Sequence, residues 1–132
     1  MVTDAELLAR AWAARTFAYA PYSGFAVGAA VLTASDQVFV GCNVENATFP
    51  LTVCAERVAI SNAVSAGQQH VVTIAVVTDT DPAAAPCGAC RQVIHEFGAS
   101  SRVIVGGRAG IVREYSIRDL LPAAFGGEFL RK

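Results

Sequence analysis

The sequence predicts a single-domain α/β protein with three layers, in which a mixed sheet of about five strands lies between helices on both faces. The first observation is the order of its segments, because helical and strand patterns follow one another as helix, hairpin, helix, strand, helix, strand, strand. The second is the run at residues 71–77, which is almost continuously apolar and β-branched, as is typical of a central strand buried on both faces. The third is a length of 132 residues without linker or internal repeat, which predicts one domain over residues 1–132.

Local signals define each element in turn. Thr3 and Glu6 form a capping box at the first helix, and Gly67 and Gly98 are plausible stops for the second and third. The predicted elements are a helix over residues 3–19, strands over 25–34 and 38–42, a helix from about 52–54 to 66, a strand over 71–77, a helix over 89–97, strands over 102–105 and 111–115, and a last helical turn at 116–119. Residues 43–50 are polar and rich in turn formers, so they predict a loop of the kind that commonly holds ligands.

The composition narrows the classes of function. The chain is 54% hydrophobic and 16% charged, which is more apolar than a small monomer needs, so we expect surface that is buried between subunits. The net charge is −1 and no run of Lys or Arg stands out, which argues against a nucleic-acid-binding surface and favours a small uncharged ligand.

No targeting or membrane segment is recognisable. The N-terminus is acidic where a signal peptide would be basic, and no apolar run approaches the roughly 18 residues that a spanning helix needs. We therefore expect a cytoplasmic protein that does not associate with membranes. In a reducing compartment its four cysteines are expected to bind metal or to be buried, and two disulfides remain the alternative.

Three of the cysteines have the spacing of a metal site. Cys87 and Cys90 are three residues apart, so one turn of helix brings both thiolates to one face, and Cys54 supplies a third sulfur from elsewhere. Three protein ligands leave the fourth tetrahedral position of zinc open, which is the catalytic pattern. A purely structural zinc is the alternative, and it requires a fourth protein ligand. Cys42 is interpreted as a small core residue.

Charged residues next to these cysteines suggest how the centre works. Glu56 lies two residues beyond Cys54, where it can move protons to and from a water molecule as general acid and base. If both clusters open helices, the positive ends of the helix dipoles favour the thiolate form. Zinc with three thiolates has a net negative formal charge, and Arg57 and Arg91, which each follow a cluster, are candidates to offset it.

These motifs resemble those of the short, homotetrameric, zinc-dependent cytidine deaminases over nearly the whole chain. The segments that carry the resemblance are residues 22–30 (YSGFAVGAA), 41–47 (GCNVENA), 54–57 (CAER), 86–92 (PCGACRQ) and 120–125 (LLPAAF). The resemblance implies a cytidine deaminase-like fold and the hydrolytic conversion of cytidine and deoxycytidine to uridine and deoxyuridine with release of ammonia. It also implies one zinc ion per subunit, held by the three cysteines, with Glu56 as proton shuttle.

The resemblance further implies a set of nucleoside contacts. Asn43 and Glu45, with Val44 between them, hold the ribose; Phe25 lines the base pocket, and the backbone of Ala55 contacts the pyrimidine. Phe125 reaches into the site of a neighbouring subunit, so that a homotetramer shares its active sites.

One residue departs from the family pattern, and two related activities remain as alternatives. Many relatives have Tyr where this chain has Phe49, which leaves the details of sugar recognition open. A deaminase of cytosine-containing nucleoside antibiotics is one alternative. An enzyme that edits RNA or DNA is the other, and the near-neutral charge disfavours it.

Overall fold

The computed structural model describes residues 1–131. In chain order its elements are α1 (Asp4–Arg15), β1 (Val27–Thr33), β2 (Val38–Cys42), α2 (Ala55–Ser65), β3 (Val71–Thr78), α3 (Gly88–Phe97), β4 (Arg102–Gly106), β5 (Val112–Ser116) and α4 (Ile117–Leu120), with short 3₁₀ turns at Phe49–Leu51 and Gly127–Phe129. The predicted order of helices and strands is confirmed. Within residues 1–131, no helix has both the length and the apolar character that crossing a membrane would require.

The strands form one mixed sheet in the order β2-β1-β3-β4-β5. β3 and β4 are parallel and are connected through α3, whereas the other neighbouring strands are antiparallel. Val27 at the start of β1 pairs with Thr78 at the end of β3, and Gly28 pairs with Cys42 at the end of β2. The start of β1 and the ends of β2 and β3 therefore lie side by side at one end of the strands. The loops that leave β2 and β3 at this end lead to α2 and α3.

Helices cover both faces of the sheet, which confirms the three-layer prediction. Alternating residues of the strands point to opposite faces, so each face packs against its own helices. On one face Ala30, Ala75 and Val77 pack with Leu7 and Ala11 of α1. The other face is the larger core, in which α2, α3 and α4 contribute Ala59, Ile60, Ala63, Ile94 and Ile117 against Val31, Ile74 and Val103.

Two predicted boundaries are wrong for the same reason. α1 ends at Arg15 and not near Tyr19, because the backbone N–H of Tyr19 donates to the carbonyl of Asn43 at 2.9 Å and so pairs with the loop after β2. β1 begins at Val27 and not at Phe25, since the Asn43 side chain bonds the carbonyl of Phe25 and the N–H of Val27. In both cases a long-range contact overrides the local pattern.

Arg102, the first residue of β4, joins α1 to the edge strand β5. Its Nη2 lies 2.6 Å from Asp4 Oδ2 and 2.8 Å from Glu114 Oε1. All three side chains are substantially exposed, so solvent screens this network.

Candidate active site

The starts of two helices bring the three predicted ligands together. Cys54 is the N-cap of α2, Cys87 is the N-cap of α3, and Cys90 lies in the first turn of α3. Their sulfur atoms all lie within 4.8 Å of one another. The close packing of α2 on β2 supports this placement, because a Cβ at Gly41 would lie 2.5 Å from the backbone nitrogen of Ala59.

The donor set fits zinc. Sulfurs bound at about 2.3 Å to one tetrahedral zinc are roughly 3.8 Å apart, which agrees with the clustering of the thiols. No other His, Cys, Asp or Glu of residues 1–131 joins this group, so the described chain offers three ligands and not the four of a structural site. Each of the four cysteines is a free thiol, and the disulfide alternative is not found. Cys42 is half-buried in β2 and lies outside the group.

The electrostatics of the cluster favour a thiolate. Hydrogen bonding from the Cys90 thiol, followed by that from Cys87 and the positive charge of Arg57, lowers the pKa of Cys54 to about 6 against the effect of burial. The proton is retained by Cys90, whose pKa is raised by its hydrogen bond to Cys54 and by burial. Since metals bind the thiolate form, a cation that binds to these three sulfurs displaces their remaining protons.

Glu56 lies in the first turn of α2, beside the sulfur cluster. The residue is only 4% exposed, and burial raises the pKa of its carboxyl group, with the negative charge of Cys54 adding to the effect. A buried carboxyl group with a raised pKa can hold a proton at neutral pH and release it again, which is the property that a proton shuttle needs.

A cavity of about 200 Å³ opens beside Glu56, where β1 begins and β3 ends. Six of the predicted site residues contribute to its lining, namely Phe25, Asn43, Cys54, Ala55, Glu56 and Cys87. The cavity therefore joins the sulfur cluster and the buried carboxyl group to an aromatic wall and an amide, which is what a small heterocyclic substrate requires.

The lining also includes residues that the sequence pattern does not single out, namely Val27, Thr52, Val76, Thr78, Ala84 and Ala85. Thr52 carried a usable signal, because it is a polar residue in a turn two positions before Cys54. The alanines and valines carried none, since small apolar residues are typical of any core.

Glu45 and Val44 lie just outside this cavity. Glu45 lines a neighbouring cavity together with Tyr22, Ser23, Phe49 and Thr52, and Thr52 belongs to both cavities. The side chain of Val44 is exposed, while its backbone pairs with that of Val53, with both N···O distances at 2.9 Å.

The amide of Asn43 is buried and bonded on both sides. Oδ1 accepts a hydrogen bond from the backbone N–H of Val27 at 2.9 Å, and Nδ2 donates to the carbonyl of Phe25 at 2.7 Å. Asn43 therefore holds the backbone that carries the aromatic wall. One N–H of its amide and one lone pair of its oxygen remain for a ligand.

Arg91 and Phe125 take positions that the sequence pattern alone did not show. Arg91 donates to the carbonyls of Pro86 at 2.7 Å and Leu120 at 2.9 Å, so it ties the cysteine loop to the C-terminal segment. Gln92 donates to the carbonyl of Phe125 at 2.8 Å. Phe125 is 56% exposed, and its ring stacks on that of Phe129 with centroids 5.5 Å apart.

A sequence profile described as "Cytidine and deoxycytidylate deaminase zinc-binding region" matches residues 1–106. The chain belongs to the cytidine deaminase family. The family catalyses the zinc-dependent deamination of cytidine to uridine. The resemblance to the cytidine deaminases is thereby confirmed, together with the predicted fold class, the hydrolytic deaminase activity and the zinc cofactor, while the homotetrameric assembly stays a prediction.

Individual relatives agree over nearly their full lengths. A cytidine deaminase from Halalkalibacterium halodurans is 48% identical over 123 residues, covering 92% of this chain and 93% of the relative. One from Sporosarcina psychrophila is 45% identical over 126 residues, covering 95% and 93%. The crystal structure of cytidine deaminase from Burkholderia pseudomallei superimposes on this chain with a TM-score of 0.91. The two are 50% identical, and the match covers 94% of this chain and 100% of that one.

Proposed function

We propose that this protein hydrolyses cytidine and deoxycytidine to uridine and deoxyuridine, releasing ammonia, in the salvage of pyrimidine nucleosides. The observation that carries the proposal is the meeting of three thiols with the buried carboxyl group of Glu56 at one cavity. Membership of the cytidine deaminase family supports it.

Cys54, Cys87 and Cys90 would hold one zinc ion per subunit. When bound, zinc supplies an open coordination position and Lewis acidity, which make a water molecule easier to ionise near neutral pH. Glu56 accepts a proton from the attacking water and delivers it to the ring nitrogen beside the carbon under attack. It then transfers the second proton of the water to the amino group. The new C–O bond replaces the C–N bond, and the amine leaves as ammonia.

The cavity supplies the substrate contacts in this proposal. The ring of Phe25 forms the wall against the base, and the backbone of Ala55 contacts the pyrimidine edge. Asn43 and Glu45 bind ribose hydroxyls, and the exposed Val44 lies between them in the sequence. Glu45 suits this role because it lines a neighbouring cavity, and Thr52 lines both cavities.

Arg57 and Arg91 stabilise the centre in different ways. The positive charge of Arg57 contributes to the lowered pKa of Cys54, so Arg57 offsets the negative charge of the thiolates. Arg91 acts on the loop that carries Cys87, through the carbonyl of Pro86.

We also infer a homotetramer of single-domain subunits, in the cytoplasm, in which Phe125 completes a neighbouring site. Exposed aromatic rings support this inference, since Phe17, Phe49, Phe125 and Phe129 are all more than half exposed on the single chain. Light scattering coupled to size-exclusion chromatography tests it, and a mass of about 14 kDa, near the 13.7 kDa of one chain, would contradict it.

The direct test of the function combines a zinc assay with ultraviolet monitoring of the purified protein. We expect zinc at one equivalent per chain and the conversion of cytidine to uridine with stoichiometric ammonia. Cytosine-containing nucleoside antibiotics and single-stranded oligonucleotides serve as comparison substrates. Turnover of either of these in preference to cytidine would contradict the proposal.

A further inference from the structure

We propose that Ser23 is a positioning residue that couples the carboxylate of Glu45 to the backbone of Phe25, and thereby controls how tightly the nucleoside is bound. The inference rests on the proposed function, in which Glu45 contacts the sugar and Phe25 contacts the base. In this scheme Ser23 contacts neither the sugar nor the base, and it acts through Glu45 and Phe25.

The first link is a set of hydrogen bonds at Glu45. Its Oε1 accepts from the backbone N–H of Tyr22 at 2.9 Å and from that of Ser23 at 3.2 Å. Its Oε2 accepts from the hydroxyl of Ser23 in a short hydrogen bond. These contacts lower the pKa of Glu45, with the Ser23 hydroxyl as the largest cause, so the group is a carboxylate at neutral pH.

The direction of the second link follows from the single hydroxyl proton. A carboxylate accepts hydrogen bonds only, so Ser23 must donate its proton to Glu45. The oxygen of the hydroxyl is then free to accept, and it accepts from the backbone N–H of Phe25 at 3.0 Å. One hydroxyl therefore connects the predicted sugar contact to the predicted aromatic wall.

Side chains, and not the sheet, hold the backbone of Phe25. β1 begins only at Val27, and the carbonyl of Phe25 accepts from the Asn43 side chain at 2.7 Å. Ser23 and Asn43 thus hold the two polar groups of this one residue. Phe25 is 46% exposed, so packing alone constrains it less than it would a core residue.

The other end of the connection is anchored next to the metal centre. The backbone N–H of Glu45 donates to the carbonyl of Tyr19 at 2.8 Å, and the preceding residue, Val44, pairs with Val53. Cys54 follows Val53 directly. These contacts fix the position of Glu45 relative to the sulfurs. Through the Ser23 hydroxyl, the position of Glu45 in turn fixes the backbone of Phe25.

The variant Ser23→Ala tests the inference through steady-state kinetics on cytidine. We expect the KM to rise about tenfold, as the loss of a charge-assisted hydrogen bond implies, while kcat stays within about twofold. The reason is that Glu45 and Phe25 contact parts of the nucleoside away from the reacting carbon, so uniform binding is lost and the chemical step is not. Ser23→Thr keeps the hydroxyl on an exposed residue, and we expect it to restore the KM.

Ser35→Ala is the matched control. The hydroxyl of Ser35 also makes two hydrogen bonds, to Thr33 and Gln68, but it lies beyond the end of β1 that is remote from the cavity. We expect this variant to keep the wild-type KM and kcat.

A double-mutant cycle separates coupling from a merely local effect. Because Ser23 acts through Glu45, the rise in KM for Ser23→Ala combined with Glu45→Ala should be smaller than the product of the single rises. An unchanged KM in Ser23→Ala, a fall in kcat alone, or multiplicative effects in the cycle would each overturn the inference. An inactive wild-type enzyme, in contrast, would contradict the proposed function itself.

Discussion

Glu56→Gln separates proton transfer from every other property of the site. The substitution keeps the size of the side chain and removes only its ability to carry a proton between water, ring and amine. Glu56 is 4% exposed and its burial penalises the charged form, so a neutral amide of equal size should not destabilise the fold. The three cysteines are unchanged, and we expect zinc to be retained at the wild-type level.

The expected loss of activity follows from the role assigned to the carboxyl group. General acid–base catalysis by one positioned side chain contributes about 10²- to 10⁴-fold, and Glu56 acts in more than one transfer, so we expect kcat to fall by at least about a thousandfold. A thousandfold loss corresponds to roughly 4 kcal/mol in the activation free energy.

The assay follows cytidine by ultraviolet absorbance and measures zinc in the same preparation. Glu96→Gln is the control, because Glu96 is an exposed residue of α3, outside the cavity. A zinc-loaded Glu56→Gln enzyme that kept kcat within about tenfold of the wild type would refute the role of Glu56 as the shuttle.

Three further predictions concern the metal, the packing and the surface charge. Cys87→Ala should lose zinc and activity together, measured by elemental analysis, whereas Cys42→Ala, outside the sulfur cluster, should keep both. Gly41→Ala forces a Cβ into contact with α2, so the free energy of unfolding in urea should fall by about 1–3 kcal/mol, and an unchanged value would show that the helix can shift freely. Arg102→Met removes the hydrogen bond that lowers the pKa of Asp4. At neutral pH this substitution should lower the free energy of unfolding by less than about 1 kcal/mol. Because the folded pKa of Asp4 is depressed, this contribution is present above pH of about 4 and is lost as the pH falls further, so the two unfolding curves should converge in acid.

Much of the chemistry could be predicted because it depends on spacing along the chain. Two thiols three residues apart share one face at a helix start, and Glu56 must lie near Cys54 because only one residue separates them. The positions of other contacts depended on residues far apart in sequence. The early end of α1, the late start of β1 and the two carbonyls that Arg91 bonds all involve partners that local periodicity does not reveal.

The sequence by itself determined the kinds of groups available, namely three sulfur donors, a neighbouring carboxyl group and an amphipathic α/β pattern. The tertiary structure alone decided that the starts of α2 and α3 meet, that Thr52 lines two cavities, and that the Ser23 hydroxyl connects Glu45 to Phe25. The physical reason is that helix starts and thiol spacing arise from interactions within one turn. The meeting of distant loops, in contrast, is set by the register of β1 with β2 and β3 and by the packing of helices on the sheet.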